Sequence, residues 1–378
     1  MKPPTEGYGF EVLSRAGNAR HARLTTPHGV IETPTFMPVG TQGSVKTLSP
    51  MEVAATGARI VLGNTYHLWL RPGAEAIARA GGLHRFVHWP HAMLTDSGGF
   101  QAFSLAERRK FTEDGFTFQS HLDGARHHLS PEEAMRVQGL IGADVAMQLD
   151  VCPPGQSPRA ELEKACATTT RWARRCLAAK RVDQAVFGIV QGGCEADLRR
   201  AHADELGELG FDGLALGGFS VGEPIEKMHE AVSLVASHLD AERPRYLMGV
   251  GTPRDLVVAI AAGVDMFDCV LPTRNARNGQ ALCRRGRVVI KQARYKDDQR
   301  PLDPSCSCAT CAEGYSRAYL RHLYLSGELL VLRLFSQHNL HLYGELVREA
   351  RLAIDAGELA AFESAWLEAG AAGLDPAD

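Results

Sequence analysis

The chain has 378 residues, 45% of them hydrophobic and 22% charged, with a formal net charge of −3 and an isoelectric point near 6.6. This composition builds a large apolar core and excludes a polycation, so any contact with nucleic acid has to come from a local patch. The N-terminal MKPPTEGYGF lacks the apolar core of a signal peptide and no stretch approaches membrane-spanning length, so a cytoplasmic protein without membrane contact is expected.

Residues 10–37 read as short antiparallel strands: FEVLSR, a turn at Ala16-Gly17-Asn18-Ala19, RHARLTT, and VIETPTFM after His28-Gly29. They predict a scaffold sheet that plugs the rest of the fold from beneath. From residue 35 onward apolar runs recur at 35–39, 60–62, 92–95, 144–149, 185–190, 213–216, 246–250 and 265–271. Helical segments alternate with them. Three have start signals, Ser49-Pro50-Met51-Glu52, Ser130-Pro131-Glu132-Glu133 and Ser157-Pro158-Arg159-Ala160-Glu161. Each offers a serine N-cap, proline at the first helical position and an early acid. Residues 196–209, 225–239 and 253–262 fit further helices. Eight strand-like runs, each followed by a helix until the last, imply an α/β fold, a parallel (β/α)8 TIM barrel with right-handed crossovers. No G-x-G-x-x-G or P-loop follows the first strand, which argues against a dinucleotide site.

The strand ends carry the chemistry. Asp96-Ser97-Gly98-Gly99 ends the third run, Asp150-Val151-Cys152-Pro153 the fourth, Gln191-Gly192-Gly193 the fifth and Gly217-Gly218 the sixth; Asp268 lies in the eighth. One such Asp alone reads better as a helix cap, but in a barrel these ends share one face, where active sites sit. A carboxylate inside an apolar run, as Asp268 is, is costly to bury unless paired or put to work. The run then breaks at Pro272 into a predicted loop carrying Arg274 and Arg277. Arg284, Arg285, Arg287, Lys291, Arg294, Lys296 and Arg300 follow, a footprint for a polyanion or a solvated charged face.

Nine cysteines, three of them clustered, favour free thiols and a metal site over a disulfide framework. Cys306, Cys308 and Cys311 form C-x-C-x2-C, and one distant histidine completes a tetrahedron. His338 is the candidate, with His341 and His322 as nearby competitors. Sulfur ligands point to zinc, and four protein ligands to a structural site. Residues 316–325 and 341–362 read as amphipathic helices, and the tail after Ala371 as frayed.

Together LTDSGGFQ (94–101), QLDVCPP (148–154), FGIVQGG (187–193), YLMGVGTP (246–253), MFDCVLPTRNARNG (266–279) and the cysteine cluster with His338-Asn339 resemble the bacterial tRNA-guanine transglycosylases, the queuine tRNA-ribosyltransferase family. The resemblance runs from GYGFEV (7–12) to the C-terminal helices. It implies exchange of guanine at anticodon position 34 for 7-aminomethyl-7-deazaguanine (preQ1) in tRNAs of the Asp, Asn, His and Tyr type. By motif match Asp268 would be the nucleophile and Asp96 the general acid/base. Asp150, Gln191 and Gly218 would hold the base, with Phe100 and Met248 stacking on it. Arg274, Arg277, Lys291 and Arg294 would meet tRNA. Cys306, Cys308, Cys311 and His338 would hold one Zn2+ per subunit of a homodimer. Val221 and Cys152 fit a compact pocket for preQ1 rather than queuine. Phe219 is counted with the base-binding residues, although Phe219-Ser220 stands where the pattern has Leu-Ala, and the spacing from Cys311 to His338 is one residue longer than usual. The implied division is an N-terminal sheet (1–34), the barrel (35–280), a basic and zinc-binding segment (281–345), and C-terminal helices packing on the barrel with the tail (346–378).

Three rival readings predict different behaviour. A carboxylate-pair hydrolase on the same barrel would lose the base to water. A non-catalytic tRNA-binding subunit would form no covalent adduct. A catalytic zinc would give loss of turnover on chelation without loss of structure.

Overall fold

The computed structural model describes residues 5–104 and 109–371; the tail expected to fray lies outside the described residues. Strands β1 (Gly9–Ala16), β2 (Ala19–Thr26) and β3 (Gly29–Thr33) form an antiparallel meander in which Gly17 and Asn18 make the first turn. Leu24 and Ile31 of this sheet pack with Met37, Ala92, Val145 and Met266 at the centre of the barrel.

The barrel staves are β4 (Thr35–Met37) with β5 (Val39–Gly40), then β6 (Ile60–Gly63) and β7 (Ala92–Thr95). An antiparallel insertion comes next, β8 (Arg109–Thr112), β9 (Gly115–Gln119) and β10 (Arg126–Leu129). The remaining staves are β11 (Val145–Met147), β12 (Ala185–Val190), β13 (Gly213–Leu216), β14 (Arg245–Leu247) and β15 (Met266–Asp268). Their order is β4-β15-β14-β13-β12-β11-β7-β6-β5, parallel throughout. Pro38 has no N–H to donate and divides the first stave. One half pairs with the eighth stave and the other with the second, which closes the barrel.

Three aspartates fasten the meander to the barrel's N-terminal end. The Tyr8 hydroxyl donates to the Asp144 carbonyl (2.5 Å), the Thr5 N–H to Asp212 (3.0 Å), and Arg20 forms a fully buried ion pair with Asp265. Each of these aspartates stands just before a stave. The plug therefore seals the N-terminal end and leaves the C-terminal ends for ligands.

Several helices start as their sequences dictate. Ser49 and Glu52 form a reciprocal capping box on Pro50–Ala55, and Ser130 caps Pro131–Ile141; such caps contribute about 1 kcal/mol each. The third start signal is read differently by the fold. Pro158 itself is the N-cap of Arg159–Ala179, because its ψ of 148° is extended and its carbonyl takes the Glu161 and Leu162 N–H groups. The segment after the eighth stave is a helix, Leu271–Arg277, and not a loop. Pro272 falls in its first turn, where the missing N–H costs nothing. At the C-terminus the expected helix over 341–362 is two helices, Leu329–Ala356 and Leu359–Ala371, separated where Gly357 turns left-handed (φ 71°). Among the described residues no helix is long and apolar enough to cross a membrane.

Candidate active site

Asp96 follows β7 directly. Its Oδ1 accepts the Thr65 N–H (2.8 Å) and its Oδ2 the Asn64 amide (2.5 Å). Asn64 is held in turn, because its Oδ1 caps the helix Thr65–Leu70 through the His67 N–H. Burial pushes the Asp96 carboxyl up to about 7, with the charges of Asp268 and Asp150 adding to the shift and the Thr65 N–H opposing it. All three carboxyls therefore share one electrostatic neighbourhood, and Asp96 can give or take a proton near neutrality.

Asp268 closes β15 and is 8% exposed. The Tyr246 hydroxyl (2.5 Å) and the Gly249 N–H (2.7 Å) both donate to its Oδ1. Oδ2 keeps its lone pairs for an electrophile. Tyr246 reaches Asp268 because β14 pairs with β15 in the register Tyr246↔Met266, so it stands beside the stave two residues below the carboxylate. Burial raises the Asp268 pKa against both donors. Replacing Tyr246 by Phe removes one of the two donors that orient the carboxylate. We expect kcat to fall about 10- to 100-fold with KM nearly unchanged; an unchanged kcat in steady-state turnover would remove Tyr246 from the site.

Asp150 follows β11, the stave next to β7 and its Asp96. Gln191 Nε2 donates to its Oδ2 (2.6 Å), and Ser97 Oγ approaches Oδ1 at 3.3 Å. Burial raises this carboxyl to about 6 despite both donors. Gln191 retains a second amide N–H, and its Oε1 is buried without a partner. Gly218 is left-handed (φ 68°), and a Cβ there would stand 2.3 Å from Gln191 Oε1, so only glycine fits. Phe219 is buried, with the Arg199 guanidinium 3.7 Å from its ring centroid. Ser220 takes a left-handed φ of 57°, and the Ser220 and Val221 N–H groups donate to Glu223. Cys152 is half-buried, its thiol pushed up to about 12 by burial and by Asp150. Phe100 stands 47% exposed and Met248 half-buried.

Arg274 is exposed on the helix Leu271–Arg277, while Arg277 is half-buried and donates to the Thr273 carbonyl (2.9 Å). The hairpin of β16 (Gln280–Cys283) and β17 (Gly286–Val289) comes next. Lys291 and Arg294 are exposed beyond it. Several members of the basic run have partners: Arg284 pairs with Glu349 and covers Trp366, Arg294 donates to Gln292 and covers Tyr295, and Arg300 pairs with Asp298.

The thiols of Cys306, Cys308 and Cys311 lie 3.6, 3.3 and 3.4 Å from His338 Nδ1. Tetrahedral Zn–S and Zn–N bonds require about 3.6 Å between such atoms, so this group fits a four-coordinate ion and could hold one. The other ring nitrogen, Nε2, meets the Leu282 carbonyl at 2.9 Å, which fixes the tautomer and ties the site to β16. Of the two competing histidines, His341 turns instead to Ser307 Oγ (3.2 Å), and neither belongs to the group. Asn339 binds the carbonyls of Pro272 and Gln280 and the Leu282 N–H, pinning the same hairpin to the long helix.

A second trio, His28, His84 and Asp144, lies at the plugged end. Its imidazoles stack at 3.6 Å and 10°, each on one Asp144 oxygen. An ion bound along a lone pair lies close to each ring plane, and none can lie in both planes of parallel stacked rings. The trio is a hydrogen-bonded brace.

Three contributors to the site escape the sequence reading, Asn64 and Thr65 behind Asp96 and Tyr246 behind Asp268, and so does the insertion β8–β10 as an element of the fold. The insertion had a signal, Asp114-Gly115 between alternating aromatic residues. Asn64 follows Gly63 at the end of the second run, where no acid marks a site and the glycine reads as an ordinary turn.

A sequence model described as "TGT: Queuine tRNA-ribosyltransferase" matches residues 15–372. A protein named Queuine tRNA-ribosyltransferase from Sorangium cellulosum (strain So ce56) is 73% identical over 369 residues, covering 98% of this chain and 94% of that protein. Namesakes from Solidesulfovibrio magneticus and Cereibacter sphaeroides are 55% and 51% identical, over 92% and 98% of this chain and 94% and 98% of their own lengths.

Proposed function

The chain belongs to the queuine tRNA-ribosyltransferase family, and from that premise we propose that it exchanges guanine 34 of tRNAs of the Asp, Asn, His and Tyr type for preQ1. It is a pentosyltransferase of queuosine biosynthesis, a tRNA-guanine transglycosylase. The observation that carries the reaction is the pairing of two differently held carboxyls. Asp268 offers a free Oδ2 beside a donor-bound Oδ1, and Asp96 titrates near 7.

Asp268 Oδ2 attacks the ribose C1′ as the bond to guanine breaks, and the electron pair of that bond leaves with the base. Asp96 delivers the proton that neutralises the departing guanine. The incoming base then attacks C1′, releases Asp268 and returns a proton to Asp96. Asp150 accepts the N1–H and 2-amino donors of the base side by side, while the second Gln191 N–H and the Gly218 N–H donate to O6. Phe100 and Met248 flank the flipped base. Half-buried Cys152 and Val221 support a pocket sized for preQ1. Exposed Arg274, Lys291 and Arg294, with Arg277 beside them, meet the anticodon backbone.

The metal is zinc, held by Cys306, Cys308, Cys311 and His338. Bound there it would supply a structural cross-link and no step of the exchange, because four protein ligands would leave no position open. A homodimer is supported by Tyr319, Leu325 and Leu329, which leave 43, 56 and 77% of their surface exposed on the metal-bearing segment. A tRNA substrate supports a cytoplasmic location.

Incubating the protein with an unmodified G34 tRNA and preQ1 is expected to yield the preQ1 nucleoside at position 34 by mass analysis, with one guanine released per base incorporated. Guanine release without incorporation would make it a hydrolase.

The pH dependence is set by the carboxyls. Asp150 must be ionised to accept from the base, so kcat/KM rises through about 6. Asp268 must also be ionised, and its raised pKa adds to the same acid limb. Asp96 must be protonated to serve the leaving base, so kcat/KM falls above about 7. The profile of guanine exchange should be a narrow bell. In Asp96→Asn the alkaline limb should vanish from the residual rate, and its persistence would assign the acid elsewhere.

A further inference from the structure

The helix Ala196–Gly207 turns two buried polar side chains, Arg199 and His202, back onto the stave that precedes it. Arg199 is fully buried and forms no ion pair among the described residues. Its donors all end on carbonyls: Nε on Gly193 (2.5 Å), Nη1 on Val190 (3.2 Å) and Nη2 on Gly217 (2.8 Å). The Phe219 ring lies 3.7 Å from its Cζ, an aromatic face in place of a counter-ion. Burial lowers its pKa only to about 10, so it stays charged.

A charge buried without a carboxylate is costly, and a plain core contact does not need one. What this charge holds is specific. Val190 and Gly193 bracket Gln191 on the end of β12, and Gly217 precedes Gly218 on the end of β13. His202 Nδ1 accepts the Gln191 N–H (2.9 Å), fixing the same residue from behind. The gap it governs is tight, since the Gln191 amide already fills the space that a Gly218 Cβ would take.

We infer that Arg199 is a positioning residue for base selection: bracing the ends of β12 and β13, it sets the spacing between Gln191 and Gly218, with Phe219 as its π-face support. This rests on the reading that those two groups receive the O6 edge of the base. A fork of five N–H donors can brace three carbonyls at once, whereas a lysine ammonium cannot reach both strands in the same geometry. Phe219, a departure from the Leu of the family pattern, thereby has a role as the aromatic support of that guanidinium.

The test compares guanine with 2,6-diaminopurine, which carries an amino group in place of O6 and a bare N1 in place of N1–H, by calorimetric binding to the intact enzyme. The Asp150 share of the preference is common to the native protein and the variants, so the change in ratio reports the O6 side. The native protein should prefer guanine by at least about 100-fold, since a site built to donate to O6 rejects an amino group there. In Arg199→Met that ratio should fall about tenfold or more, while KM for tRNA, set mainly by phosphate contacts, stays within about twofold. Arg199→Lys should recover part of the ratio. Phe219→Leu, which keeps all three carbonyl bonds, should lower it by about threefold and decides the matter if Arg199→Met fails to fold. An unchanged ratio in these variants, or equal weakening of both purines, would overturn the role of Arg199. Absence of any guanine preference in the native protein would instead overturn the assignment of Asp150, Gln191 and Gly218 as receivers of the base edge.

Discussion

Asp268→Asn is expected to abolish the covalent tRNA adduct on denaturing gels and to lower base exchange by at least about 10^4-fold, or about 5.5 kcal/mol of transition-state stabilisation. The substitution is close to isosteric. The Tyr246 hydroxyl and the Gly249 N–H can still donate to an amide oxygen at the Oδ1 position. The fold and both substrate sites should therefore persist, with an amide nitrogen where Oδ2 stood. That nitrogen has no lone pair available for C1′, and the amide carries no charge to stabilise the oxocarbenium character developing there. Two measurements separate loss of chemistry from loss of structure: the adduct after incubation with tRNA alone, and calorimetric binding of guanine. Guanine affinity within about threefold of native with no adduct is the expected pair of results. An adduct that persists in the variant would move the nucleophile to another carboxyl, and Asp96 would be the next to replace.

Asp268 also shows what the sequence could and could not convey. The apolar run 265–271 contains two aspartates three residues apart, and pattern alone treats them alike. The fold makes them opposites. Asp265 precedes the stave and is neutralised by Arg20, 245 positions away, at the plugged end. Asp268 ends the stave and meets only a phenol and an amide. The same division runs round the barrel, with Asp144 and Asp212 serving the plug and Asp96 and Asp150 facing the open end. Strand alternation gives the staves, and barrel closure then dictates which ends converge. Only long-range partners reveal which acids are discharged as structural pairs.

The groups behind the site are harder to read for a related reason. Tyr246 lies in a stretch whose apolar character explains it fully as core, and its hydroxyl acquires a purpose only once β14 is paired with β15. Arg199 sits on a helix where a charged residue normally marks the solvent face. Nothing local says that its fork will turn inward to the carbonyls of two strands. The basic run after Arg277 reads as one patch, yet Arg284 and Arg300 are held by Glu349 and Asp298. The partner of Arg284 stands on the long helix that begins at Leu329, well ahead of the start its pattern predicts at 341.

Removing the metal should disorganise the hairpin-bearing segment while the barrel stays folded. Around Cys308 and Cys311 a separate apolar cluster collects Ala281, Val288, Ile290, Leu302, Leu320 and Phe335. It is assembled from hairpin, loop and helices that share little regular pairing beyond the two strands of β16–β17. An apolar group of this size is marginal by itself. The tetrahedral site joins the 306–311 loop to the long helix through His338, and His338 Nε2 joins that helix to β16. Ion binding at such sites contributes on the order of 10 kcal/mol of folding free energy, far more than the surrounding contacts can replace. Cys308→Ser, or chelation of the intact protein, should therefore strip hydrogen-exchange protection from residues 280–325, with the barrel strands 185–190 and 213–216 still protected. Base exchange should fall with that protection, because Lys291 and Arg294 lose their placement, whereas guanine binding at Asp150 and Gln191 should stay within about threefold. Turnover lost while protection over 280–325 is intact would mean that the ion takes part in the chemistry, and the structural assignment would fail.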